Sequence, residues 1–482
     1  MFRRISGWLS GTALMLVCLT TYAQIPGKVD AKETANVAIG VPELIVRARN
    51  AYTSENFTEY RQLMSKLHEL RPNNSEYMYH LVLANALLDD KSAAFNIMLQ
   101  MQRQGLSYDF NQTEASLNLR KTEIYTYLND LMLEAGKPLG NATEFATLAA
   151  EVILPEGIEW DSSRNAILVS TVRSGSIIAI SEDGSSEELF KADESNRIWG
   201  IYDLAVDVDR NRLWAISSSN EDFSGFDATD KGRSVLIEMD LASMEIIKRY
   251  PVPVDALHHK LRNVTVSPKG DVFIIDGVFP IVYAKLAGES SLKPLAGYKN
   301  MLSLRGMALS EDGSILYLAD YEMGILVVNL KTMQARNLLI PETLNLGGIA
   351  GMYYWNHELV IIQNGIKPQR IMSLQLDASG TAVRNVTPLA VNLEAMDFPN
   401  YGTVVGNDLL FFVNSHWASR MESLKPVTIS KISLTDAPII MSPDAKKFMR
   451  EYQQAKGTGQ FRKVKLDGVK QDQSESDEEQ KD

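Results

Sequence analysis

Two periods of hydrophobic positions divide the chain. From Pro42 to about Leu133 apolar residues recur at three- and four-residue steps; Phe57, Tyr60, Leu63, Met64, Leu67 and Leu70 form the clearest run and predict amphipathic helices. Arg71-Pro72-Asn73-Asn74 stops that helix, and Ser75 is placed to cap the next, which carries Met78, Leu81 and Leu88 and turns at Asp89-Asp90. Another follows with Ala94, Ile97, Met98 and Met101 before Gly105.

From about Phe145 the period shortens to that of strands. Six segments stack on one another: GIEWDSSRNAILVS, DLAVDVDRNRLWAIS, NVTVSPKGDVFIID, GMALSEDGSILYLAD, GMYYWNHELVIIQ and GTVVGNDLLFFVN, each a hairpin with polar or glycine turn chemistry. A third apolar strand follows each hairpin, as in SIIAI, SVLIEMDL and ILVVNL, and a fourth is visible in MEIIKRYPVP and ARNLLIP. Six units of roughly 45 residues with four strands apiece predict a six-bladed β-propeller, in which residues 145–152 complete the last blade beside residues 427–434. The fold expected is therefore mainly β: a small all-α domain over 41–140, then the propeller over 145–437.

The ends differ from both. Arg3 and Arg4 precede an apolar run from Trp8 to Leu19, and Thr21-Tyr22-Ala23 supplies small residues before Gln24, so residues 1–23 read as a secretory signal cleaved after Ala23, with a polar linker over 24–40. Cleavage removes the chain's one cysteine, Cys18, so a mature protein in an oxidising compartment relies on core burial instead of disulfides. No other stretch reaches the length of a transmembrane helix. Residues 442–482 lose hydrophobic content, and the last eleven hold six acids and one lysine, which predicts a largely disordered, solvated tail. A formal charge of -12 argues against nucleic acid and leaves small molecules, glycans or proteins as partners. The expectation is export to the periplasm or beyond.

Two resemblances add to this reading. Pro72, Leu81 and Ala94 stand where tetratricopeptide repeats keep their proline, leucine and small packing residue, over little more than one repeat. Leu154-Pro155-Glu156-Gly157-Ile158-Glu159-Trp160 and the run from Gly306 to Asp320 resemble the superfamily of senescence marker protein, gluconolactonase and luciferin-regenerating enzyme. Stretches such as RLWAIS are also similar to the royal-jelly and yellow protein propellers. The first of these propeller families implies calcium-dependent lactonases in which one column of inner-strand residues faces the channel and holds a divalent cation. In this sequence that column is Glu156, Tyr202, Arg262, Arg305, Ala350 and Tyr401.

Only Glu156 keeps the ligand type implied. A guanidinium has no lone pair for a metal, and at about 6 Å and an effective dielectric near 20 each arginine opposes a divalent ion by roughly 5 kcal/mol. A shift of one residue restores Asp203 and Asn263 as oxygen donors but puts Gly306 into blade four; Asp276 and Asp320, at second-strand ends, remain within reach of the channel. The metal set under that alternative is Glu156, Asn263 and Asp320, holding calcium or another divalent ion for a lactone or ester hydrolase. The leading expectation is recognition of a small anionic ligand or a partner protein at the mouth, through Glu156, Tyr202, Arg262, Arg305 and Tyr401, against the alternative that Glu156 pairs with one arginine and the ring plugs the channel; the helices read equally as a bundle packed on the next domain or as a second docking surface. Asn364 and His416 form a further polar set at strand ends, His416 being a candidate general base, and His258-His259 read as loop residues. No Gly-x-Ser-x-Gly elbow, phosphate-binding glycine loop or HExxH motif is present.

Overall fold

The computed structural model describes residues 40–252, 258–298, 301–418 and 423–436. The expected signal, nearly all of the linker and the acidic tail lie outside them.

Five helices come first: α1 (Val41–Thr53), α2 (Phe57–Leu70), α3 (Ser75–Leu87), α4 (Lys91–Arg103) and α5 (Glu123–Ala135). The starts of α1 and α3 are 34 residues apart, as are those of α2 and α4, so the four form two successive hairpins of one period. In α2 the apolar stripe read from the sequence buries Tyr60, Leu63, Met64 and Leu67. Ser75 does not cap α3. Asn74 does, its side chain accepting from the Glu76 and Tyr77 amides, while the Ser75 hydroxyl lies 2.8 Å from the Tyr108 hydroxyl. The asparagine oxygen reaches the free amides of the first turn from one residue further back.

The propeller has six four-stranded antiparallel sheets, as the turn spacing predicts. Blades one to five span residues 155–191, 200–251, 261–297, 304–337 and 349–391. Blade six is built from residues 402–433 and closed by Thr143–Thr147, which pairs with Thr428–Ser433 from the other end of the chain. Each hairpin turn falls where the polar residues place it. In blade five Asn356 and His357 both take positive φ, 44° and 65°, the left-handed pair that a two-residue hairpin requires.

The core lies in the six gaps between blades. Along the second strand of blade five, Leu359 and Ile361 pack toward blade four, and Val360 and Ile362 toward blade six, so period-two alternation fills two gaps at once. The same logic explains the unbroken apolar runs of the other second strands, which are buried on both faces. Near the axis the inner strands approach closely: a Cβ on Gly157 would lie 2.7 Å from the Asp203 Cα of the next blade.

The helices do not stand apart. Ile366, from the loop before the third strand of blade five, is buried in the α3–α5 core. Arg71, at the end of α2, pairs with Glu322 of blade four, and the Ser107 amide donates to the Lys367 carbonyl at 2.8 Å. Arg370, 4% exposed and without a carboxylate among the described residues, donates to the carbonyls of Gln104 after α4 and of Asn345, and to Gln363 Oε1. These contacts sit on the loops that follow second strands and precede inner strands, at the end of the channel where Arg305 lies.

Candidate functional site: the cationic mouth of the channel

The geometry that aims side chains into the channel is a repeated irregularity. In five of the six blades the ladder between inner and second strand slips near its first residue, and the residues left over are Glu156 with Gly157, Tyr202, Arg262, Arg305 and Ala350. A β-bulge turns its extra residue out of the pleat. In blade six Tyr401 holds the matching place just before Gly402–Val405. Five of the six column positions named from the sequence are thus bulge residues.

Glu156, Arg262 and Tyr401 meet at its centre. Glu156 is fully buried; one carboxylate oxygen is 3.4 Å from Arg262 Nη2 and the other accepts from the Trp417 indole N–H. Arg262 Nε also donates to the Tyr401 hydroxyl at 2.9 Å. Burial raises the Glu156 pKa, and Arg262 and the indole oppose it. For Arg262 burial works against the charge, but Tyr401 and Glu156 outweigh it and the guanidinium is held ionised.

Arg305 has a different environment. Its Nε donates to the Ser303 hydroxyl at 3.1 Å and its guanidinium lies 5.2 Å from the Tyr321 ring centroid. It makes no ion pair among the described residues, and neither Nη group is engaged there. The charge of Arg262, and then burial, push its pKa down to about 10. Tyr321 is fixed in turn by Asn364, whose Oδ1 accepts from the Tyr321 hydroxyl at 2.9 Å while its Nδ2 donates to the Pro399 carbonyl. Asn364 therefore positions the ring under Arg305 from behind the mouth.

Sequence reasoning missed Lys260. Its ammonium sits 4.7 Å from the Tyr202 ring centroid and 5.1 Å from that of Trp417, with Asp222 at 3.4 Å. Burial lowers its pKa, with Arg262 adding to the effect. The signal was available: Lys260 stands two residues before Arg262, on the same side of an extended segment.

The other candidates are structural. His416 Nδ1 accepts the Leu154 amide at 3.0 Å and Nε2 donates to the Lys425 carbonyl at 2.7 Å, so both ring nitrogens are spent and no lone pair is left for a general base. His259 is not a bare loop residue: it is buried, with Nδ1 2.6 Å from Asp276.

The metal alternative fares no better. Asp320 accepts four backbone amides, from Leu302, Ser303, Glu322 and Met323; Asn263 donates to Asp203 at 2.6 Å; Glu156 serves Arg262 and Trp417. Three carboxylate or amide groups with separate partners, and two guanidiniums beside the first, do not fit a divalent cation. Among the described residues no cluster of three or more acidic, histidine or cysteine side chains could hold a metal.

Toward the opposite face the channel widens into a cavity of about 340 Å³ lined by Glu159, Asp203, Asn263, Tyr353 and Thr403 among others. Burial pushes Glu159 up to about 7, against hydrogen bonds from the Trp160 amide and Thr403. Asp203 is raised as well, by burial first and by the charges of Glu159 and Glu156 after it. The channel thus has a cationic end and an acidic end.

No protein-family profile matches the chain, and no curated protein matches it by sequence. Solved structures do. The chain is similar to a luciferin-regenerating enzyme (13% identity, 63% of this chain and 98% of that one, TM-score 0.44). It is similar also to a gluconolactonase from Xanthomonas campestris (13% identity, 61% and 91%, TM-score 0.42) and to the calcium-binding protein regucalcin from Agrobacterium tumefaciens (12% identity, 63% and 100%, TM-score 0.42). The likeness is one of fold alone; the chemistry of the mouth is written in its own side chains.

Proposed function

We propose that the protein is an exported propeller that binds a small organic anion at the channel mouth, between Arg305 and Arg262. The observation that carries this reading is the setting of Arg305: among the described residues its guanidinium makes no ion pair and engages neither Nη group, only Nε being held, by Ser303, and the charge of Arg262 pushes its pKa down. Two like charges held together in a stable fold are a cost, and an anionic ligand between them removes it. The half-buried rings of Trp417 and Tyr321 offer the rest of such a ligand flat, mostly apolar surface.

Export rests on the Arg3-Arg4 start, the apolar run and the small residues before Gln24. The 34-residue period of the two helical hairpins supports a tetratricopeptide-like origin for the α region. It is tied to its own propeller through Ile366, Arg370 and Glu322, which makes it a brace for the mouth before it is a dock for a second protein.

Thermal-shift measurements on the mature protein with small organic anions and with calcium test the reading. Stabilisation by anions, lost in Arg305→Ala, and indifference to calcium are expected. A large rise in melting temperature with calcium, and none with any anion, would overturn it.

A further inference from the structure

We infer that Arg71 of the helical region keeps the carboxylate of Glu322 away from Arg305, and so holds the mouth open for its anion. The inference rests on the anion reading and adds what stops the protein's own charge from filling that site.

Arg305 has carboxylates close by, and each is engaged elsewhere. Glu156 serves Arg262 and the Trp417 indole. Asp320, whose register partner Leu304 is the residue before Arg305, is locked by four backbone amides. Glu322 differs. Among the described residues its carboxylate is held by Arg71 alone, a residue from the other region of the chain. The turn that carries it is fixed, since the Glu322 and Met323 amides donate to Asp320 Oδ1 at 2.9 and 3.0 Å. Only the Glu322 side chain is left to move, and Tyr321, the residue before it, already lies against the Arg305 guanidinium.

Arg71 is itself set in place by backbone packing. It ends α2, and the loop after it is seated on blade four and on the segment leading into blade five. A Cβ on Gly347 would lie 2.2 Å from the Asn73 carbonyl oxygen, and one on Gly324 3.3 Å from Asn73 Nδ2. The side chains of Arg71 and Glu322 are only 16% and 18% exposed, so water serves neither charge well once the other is removed. Burial raises the Glu322 pKa; Arg71 opposes it most strongly, and Arg305 acts in the same sense. The field of Arg305 thus reaches Glu322 already. Without Arg71, the cation left to compensate that carboxylate is Arg305, and the pair they form competes with any anion for the same guanidinium.

The test is isothermal titration of the mature protein at about pH 8 with two anions, benzoate and phenyl phosphate, neither of which the inference prefers. For the anion that binds the parent, Arg71→Gln should weaken binding roughly tenfold, as when a competing pair leaves the site open about a tenth of the time. Arg71→Gln combined with Glu322→Gln should bind like the parent, because the competitor is gone, and Glu322→Gln alone should bind no more weakly. Rescue by the second substitution is a readout that a purely structural Arg71 would not give. Equal weakening with and without Glu322→Gln, or parental affinity in Arg71→Gln, would overturn the inference; a loss of binding in Arg305→Gln would then leave the anion site standing. No binding of either anion by the parent, or undiminished binding by Arg305→Gln, would overturn both.

Discussion

Arg262 and Arg305 occupy equivalent bulges in neighbouring blades, and opposite consequences follow from removing them. Arg262→Gln strips the buried Glu156 of its paired counter-charge, leaving the indole of Trp417 as its hydrogen-bond partner among the described residues. Breaking a buried pair in this way costs roughly 3 kcal/mol, to be seen as a lower urea midpoint. Arg305→Gln removes a repulsion and breaks no ion pair among the described residues, so stability should hold or rise slightly. A marked loss in Arg305→Gln would show that it serves the fold. Glu159 gives a pH-dependent prediction. Its pKa is raised in the folded state, to about 7, so the native protein holds a proton that the unfolded chain has released. Its contribution to stability is full below the ordinary carboxylate pKa and is lost as pH rises to about 7. Melting temperature should therefore decline between about pH 5 and 8 by more in the parent than in Glu159→Gln; identical slopes would contradict this. At this scale the sequence was informative about the bulge column and offered a pair of Glu156 with one arginine, which is made with Arg262, but not about the other partners. Arg262 and Arg305 could be read off a column, whereas Lys260 between two rings, and the loss of both His416 nitrogens to backbone, depend on residues from other blades.

The elements that matter most are the bulges and the close approach of the inner strands beside them at Gly157. Neither bulge nor close approach leaves a strong mark on hydrophobic alternation, because a one-residue slip at the start of a strand still reads as a strand. The hairpins themselves were plain from turn chemistry and apolar runs, since each blade repeats them. Gly157 tests the packing claim: a Cβ there meets the Asp203 backbone at 2.7 Å, and a backbone cannot swing aside as a flexible side chain does. Gly157→Ala should cost about 1–3 kcal/mol by forcing blades one and two apart, measured by chemical denaturation. A neutral result would mean that the inner strands have slack.

For the whole molecule, the helical region and the propeller are joined by groups far apart in sequence, which is why packing of the helices on the next domain was one of two readings of the sequence but the contacts that make it were not legible. Arg370 is the clearest of these. Burial pushes its pKa down to about 10, and the carbonyls of Gln104 and Asn345 are its compensation. Arg370→Met should leave those oxygens unsatisfied, cost roughly 2–4 kcal/mol, and split one thermal transition into two as α3–α5 separate from blade five. Retention of a single transition would refute the brace. The export reading belongs to this scale too: the secreted protein should begin at Gln24 by intact mass, and an unprocessed terminus would contradict it. The six-bladed architecture could be counted from the sequence because repetition supplies six independent copies of one signal. The mouth could only be outlined, since a binding site is defined by what its side chains touch.

The most direct test of the central claim, that guanidinium groups and not a bound cation occupy the axis, is anomalous diffraction from crystals of the mature protein soaked separately in bromide and in terbium, a calcium surrogate. The account predicts a bromide peak against the Nη groups of Arg305 and no terbium beside Glu156. A terbium ion bound to Glu156, with the arginines displaced and no bromide at the mouth, would contradict it.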